Sequence, residues 1–179
     1  HQPIDRIASV ASFFLSRIDT IVDKRLDTIG TDQARALKGQ AAIASARLAY
    51  HRYEAIIDCE RWTALEAKGA RRQRLLWAST GTKNPAYSDT KYIEPLIGPE
   101  TVTTLPPEAL AAYRDHGDPA CRIHDDPEQA TETIAALHTL GIDMREIAHE
   151  LEEDGLKKFI DPFDATQKAL QERAQKLAS

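Results

Sequence analysis

The chain has 179 residues, 42% of them hydrophobic and 28% charged, an ordinary composition for one globular domain. A net charge of -5 excludes a general nucleic-acid binder, whose surface must be basic to neutralise phosphates. It leaves room for a small phosphorylated ligand, which needs only a few local donors.

Cys59 and Cys121 form no Cys-x-x-Cys spacing, which argues against a disulfide scaffold. No apolar run nears the roughly 18 residues a bilayer span requires. A cytoplasmic setting is the expectation, with neither membrane nor nucleic acid as a partner. A start at His-Gln-Pro-Ile-Asp, with no methionine and no leader pattern, reads as a processed product or a cut piece.

Residues 7–15 (I-A-S-V-A-S-F-F-L) are apolar, uncharged and short, and predict a buried strand. Asp19, Asp23 and Asp27 follow at intervals of four, the pattern of a solvated helix face with Lys24 and Arg25 between them. Residues 32–57 carry a long alanine-rich helical pattern. Leu37, Ala41, Ala44, Leu48 and Ala55 fall near one face, Asp32 is placed to cap it, and Gly39 is a local weakness. Residues 59–68 predict a short helix stopped by Gly69.

Residues 73–79 predict a second buried strand that runs into the small polar loop Ser79-Thr80-Gly81-Thr82-Lys83. Residues 89–97 are either a short helix or an irregular turn. The β-branched run 101–105 (T-V-T-T-L) predicts a third strand, and Pro106-Pro107 opens a helix. Further helices are expected over 127–140, 144–159 and 164–177, punctuated by Gly141 and Asp161-Pro162. Strands separated by helices imply crossovers and a parallel sheet. Three such strands leave two open edges, so further strands or another chain must complete the sheet.

In parallel α/β folds, ligands sit at the carboxyl ends of the strands. The loop Ser79–Lys83 supplies hydroxyls, a glycine for close backbone approach and an ammonium, all suited to a phosphate monoester; the alternative is a plain polar turn. It is not a Walker loop. On the first strand, alternation sets Ser12, Phe14 and Ser16 on one face and Phe13 and Leu15 on the other. Arg17 emerges at that strand's end, either as a bidentate phosphate ligand or as a surface arginine paired with Asp19.

Cys121-x-x-His124 lacks a second ligand pair, and His149-Glu150 lacks the second histidine of a zinc-protease helix, so no metal site is expected. Trp62 and Trp77 read as packing residues, and the run His149–Asp154 as a solvated helix face. A Schiff-base lysine needs a dry or cationic setting to lose its proton, and every lysine here lies in a polar segment.

Three runs resemble the later part of a transaldolase of the longer bacterial type, which is sometimes fused to a glucose-6-phosphate isomerase. They are S-V-A-S-F-F-L-S-R-I-D-T-I-V-D-K-R-L-D, then R-R-Q-R-L-L-W-A-S-T-G-T-K-N-P-A-Y-S-D-T-K-Y-I-E-P-L-I-G-P-E-T-V-T-T-L-P, and G-L-K-K-F-I-D-P-F-D. The resemblance implies an α/β fold, the carboxyl-terminal part of a (β/α)8 barrel. Its sixth, seventh and eighth strands would be the three read above, in one domain over 1–179 that is incomplete without an amino-terminal part.

It also implies transfer of a dihydroxyacetone unit from sedoheptulose 7-phosphate to glyceraldehyde 3-phosphate, in the pentose phosphate pathway, through a lysine Schiff base and without cofactor or metal. By the same resemblance Ser12 and Phe14 are active-site positions, Arg17 a phosphate ligand, and Ser79 the serine after the seventh strand. Lys83 stands in for an arginine that shorter members carry soon after that serine. The Schiff-base lysine and the catalytic carboxylates would precede His1, leaving no catalytic residue in this chain and making it inactive alone. The implied partners are sugar phosphates and the amino-terminal barrel part or a second copy. The alternative is a non-catalytic, self-associating module that binds sugar phosphates.

Overall fold

Three strands, β1 (Val10–Phe14), β2 (Arg74–Ala78) and β3 (Thr101–Thr103), form one parallel sheet of order β1-β2-β3. The structure, a computed structural model, describes residues 3–178 and falls into two units, one reaching to Ile142 and one from Asp143 onward. Val10 pairs with Arg74 and Phe14 with Ala78, while Leu75 pairs with Thr101 and Trp77 with Thr103.

The central strand is the dry one. Leu75, Trp77 and Ala78 are buried, and the Trp77 indole donates to the Leu96 carbonyl at 3.0 Å. Phe13 meets Trp77 edge-on, with ring centroids 5.6 Å apart. The expectation of a buried first strand over 7–15 is corrected. β1 is shorter and exposes Val10, Ser12 and Phe14, because no described element covers that face of an edge strand.

Helix α1 (Leu15–Ile29) starts where β1 stops. Ser16 and Arg17 therefore lie on its first turn and do not continue the strand. Phe14 occupies the N-cap position with no capping side chain, so the change from strand to helix leaves no local mark in the sequence. Leu15, Ile18, Val22 and Leu26 form the buried stripe, each stabilising the fold by about 1.5–3 kcal/mol through apolar burial.

The helix expected over 32–57 is two: α2 (Asp32–Ala36) and α3 (Ala41–Ile57). Gly39 breaks it, in the left-handed region with φ +70. Thr31, not Asp32, caps α2, its hydroxyl accepting from the Ala34 amide at 3.1 Å. Ala41, Ala42, Ala44 and Ala46 of α3 are buried; their small side chains let α1 and α6 (Pro127–Thr139) pack close against α3.

Helix α4 (Glu60–Glu66) leads towards β2. Between β2 and β3 the chain forms turns and one 3-10 turn, Glu94–Leu96, the irregular alternative for that stretch. Helix α5 (Pro107–His116) follows β3.

The aspartates spaced four apart are not a solvated face. Asp19 is 1% exposed; its carboxylate accepts from the Ala42 amide and from the Tyr92 hydroxyl, both at 2.8 Å. Asp23 accepts from the Gly39 amide at 2.8 Å and from the Tyr87 hydroxyl at 2.5 Å. Only Asp27 keeps an exposed role, an ion pair with Lys38 at 2.7 Å. Burial raises the Asp19 carboxyl above the usual range, although both of its hydrogen bonds and nearby Lys91 favour the charged form.

The second unit is α7 (Met144–Ala178), one helix of 35 residues where two were expected. Pro162 lies inside it without ending it. The surrounding segment is exposed, so water can satisfy the carbonyl that the missing proline N–H leaves free. Among the described residues, no helix is long and apolar enough to cross a membrane.

Candidate functional site

The carboxyl ends of all three strands open onto one cleft of about 600 Å³. Ser16 and Arg17 line it from the start of α1, Ser79 to Lys83 from the loop after β2, and Thr104 to Pro106 from the loop after β3. Asp89, Glu108 and Ala109 complete the lining.

Backbone and hydroxyl hydrogen bonds tie these loops together. The Ser16 amide donates to the Ser79 carbonyl at 3.1 Å, joining the first turn of α1 to the loop after β2. The buried Thr80 hydroxyl donates to the Thr104 carbonyl at 2.5 Å, joining that loop to the one after β3. Ser79 itself sits at φ 53, a left-handed conformation unusual for serine, which turns the chain sharply out of β2.

Arg17, Ser79 and Lys83 thus meet at this cleft, whereas Ser12 and Phe14 lie outside its lining. Ser12 is exposed on β1, and the Phe14 ring sits beneath the Arg17 guanidinium, 4.9 Å from centroid to carbon. Asp19 points to Ala42 and Tyr92, so Arg17 is not the surface arginine paired with it. Thr80 belongs to the polar loop read from the sequence, but its hydroxyl is spent on the Thr104 carbonyl; Thr104 is a lining residue whose only signal is its place one residue past a strand.

The rim also carries a charge pair. The His116 imidazole meets Asp89 at 2.9 Å and Asp115 at 3.2 Å. The hydrogen bond to Asp89, then that to Asp115, raises the His116 pKa above its ordinary value. A second cleft of about 510 Å³ lies beside the first and shares Lys83; its carboxylates Asp19, Asp23 and Asp27 are all bonded within the chain.

Cys59 and Cys121 are exposed and unpaired with each other, and the His124 imidazole meets Glu54 at 2.7 Å. Among the described residues no cluster of three or more histidine, cysteine, aspartate and glutamate side chains could hold a metal ion. Among the described residues no lysine is buried or placed on a strand; the half-buried Lys38 and Lys91 are held by Asp27 and by the Gly39 carbonyl.

Sheet and cleft together define a parallel α/β protein with a cleft built from the loops at the carboxyl ends of its strands. The family model described as Transaldolase/Fructose-6-phosphate aldolase matches residues 2–170, and the chain belongs to that family. It is 46% identical over 176 residues to "Transaldolase 2" of Streptomyces coelicolor, covering 98% of this chain and 47% of that protein. It is 45% identical over 186 residues to "Transaldolase" of Trichodesmium erythraeum, covering 98% and 49%. It is 52% identical over 158 residues to "Transaldolase 1" of Streptomyces avermitilis, covering 86% and 41%. The chain spans about half the length of these curated relatives.

Proposed function

We propose that this chain supplies the substrate-phosphate-binding part of a transaldolase site. The reaction is transfer of a dihydroxyacetone unit from sedoheptulose 7-phosphate to glyceraldehyde 3-phosphate, in the pentose phosphate pathway. β1, β2 and β3 are the sixth, seventh and eighth strands of a (β/α)8 barrel whose other strands belong to an amino-terminal part. The observation that carries this reading is the convergence of the loops after all three strands on one cleft holding two cations, Arg17 and Lys83.

Each group has a distinct task. The Arg17 fork binds two phosphate oxygens, and Phe14 beneath it fixes the guanidinium plane. Lys83 adds a point charge and Ser79 a hydroxyl. The N-terminal end of the α1 dipole lies on the same side and favours the same anion. Ser12 and Phe14, on the exposed face of β1, border the sugar on the side where the remaining strands close the barrel. The carbonyl-trapping lysine belongs to another segment, since such an amine is held neutral most readily in a dry setting and no lysine among the described residues is buried.

Borohydride reduction in the presence of a ketose phosphate tests the assignment. The expected result is no covalent adduct on this chain alone, and an adduct on the companion segment when both are present. An adduct mapped to any lysine of this chain would overturn it.

A further inference from the structure

Ser16 is a residue that the phosphate reading leaves without a task. It is 1% exposed, it lines the cleft, and its hydroxyl has no hydrogen-bond partner in the chain. Its backbone is fully used: the amide donates to the Ser79 carbonyl, and the carbonyl accepts from the Thr20 hydroxyl at 2.6 Å. The side chain is the one part with nothing to bond.

A buried hydroxyl without a partner is destabilising, so serine at this position is worse for the free chain than alanine, which also favours the helix more. An oxygen-rich anion in the cleft would reverse that balance. Ser16 stands next to Arg17 on the first turn of a 15-residue helix, where the helix dipole favours negative charge. Its hydroxyl is buried although the residue lines the cleft, so contact with an anion would take a rotation about its Cα–Cβ bond to another staggered position. We infer that Ser16 is a direct ligand of the bound phosphate, donating its hydroxyl to a phosphate oxygen beside the Arg17 fork. This rests on the phosphate site proposed above and adds to it a fourth side chain.

Thermal unfolding of the full chain, with and without inorganic phosphate, tests the inference on wild type, Ser16→Ala and Arg17→Ala. Without phosphate, Ser16→Ala is expected to melt at the same temperature as wild type or higher, because only an unpartnered hydroxyl is lost. With phosphate, its affinity is expected to fall about tenfold, the usual loss for one hydrogen bond to a charged group.

An unchanged phosphate affinity in Ser16→Ala, with loss in Arg17→Ala, would overturn the role of Ser16 and leave the phosphate site standing. A lower melting temperature for Ser16→Ala without phosphate would also overturn it, by showing that the hydroxyl serves the fold. No phosphate response in wild type would overturn both. Ser16→Cys, which keeps the volume with a weaker donor, repeats the phosphate comparison, and an affinity equal to that of wild type would likewise overturn the role of Ser16.

Discussion

Arg17 and Lys83 face the same cleft with different chemistry. Arg17→Ala in the complete enzyme is expected to raise KM for phosphorylated substrates about tenfold or more, since two charge-assisted hydrogen bonds are lost together. Unphosphorylated analogues should be affected far less, and steady-state kinetics with both substrate types checks this. Lys83→Ala should shift the same constants in the same direction by a smaller factor, because an ammonium is a point charge and not a fork.

His116 gives a pH prediction. Its raised pKa means that its pairing with Asp89 contributes stability fully present below the ordinary histidine value near 6.5 and lost as pH rises through the raised value. NMR titration should place its midpoint above that of a free histidine, and Asp89→Asn should bring it back down. At this scale the sequence is informative where a residue follows a strand, as Arg17 and Ser79 do. It is silent on Ser16, whose distinguishing property is a missing partner that only three-dimensional packing reveals.

Among the helices, the three aspartates of α1 are equivalent in spacing and unlike in environment. Asp19→Ala strips acceptors from the buried Ala42 amide and the Tyr92 hydroxyl. A loss of about 2–4 kcal/mol is expected, with each orphaned donor costing about 1–3 kcal/mol. Asp27→Ala removes only an exposed ion pair and should change urea unfolding little.

Gly39→Ala meets two obstacles: a φ of +70, and a new Cβ that would lie 2.6 Å from the Lys91 ammonium nitrogen and 2.7 Å from the Tyr87 ring. The left-handed conformation alone costs about 1–2 kcal/mol, and the crowding adds to it; equilibrium denaturation measures the sum. The spacing of the aspartates marks one helix face, and that face is turned towards the chain at Asp19 and Asp23 and towards water only at Asp27. A period of four marks a face without saying what lies against it, and here the partners come from the α2–α3 turn and from Tyr87 and Tyr92, far along the chain. Gly39 was legible as a weakness in a long helix, and it is the point where that helix divides.

Taken whole, the first unit ends in two unpaired sheet edges among the described residues, with Val10 42% and Phe14 36% exposed along β1. Parallel sheets are ordinarily covered on both faces and closed or protected at their edges. Sedimentation of the chain alone is expected to show self-association, and addition of an amino-terminal barrel part should replace those species with a defined complex. A well-behaved monomer indifferent to such a companion would contradict the edge argument. The three-strand count and the parallel order were readable because apolar runs and turn signals alternate along the chain. The uncovered face of β1 was not, since a run of apolar residues is the same whether or not its partner is present.

The pairing of Val10 with Arg74 has a kinetic consequence. The helices α1 to α4 lie between these two strands in the chain, and the contacts of α1 with α2 and α3 are close in sequence, so they can form early and cheaply in chain entropy. The sheet closes only when that whole excursion is folded back, because the closure entropy of a long loop must be met before its contacts are made. Substitutions in α1 and α3 should therefore slow refolding, while those at the β1–β2 pairing should chiefly speed unfolding. The strands that carry the cleft would be the last part of this chain to assemble and the first to come apart.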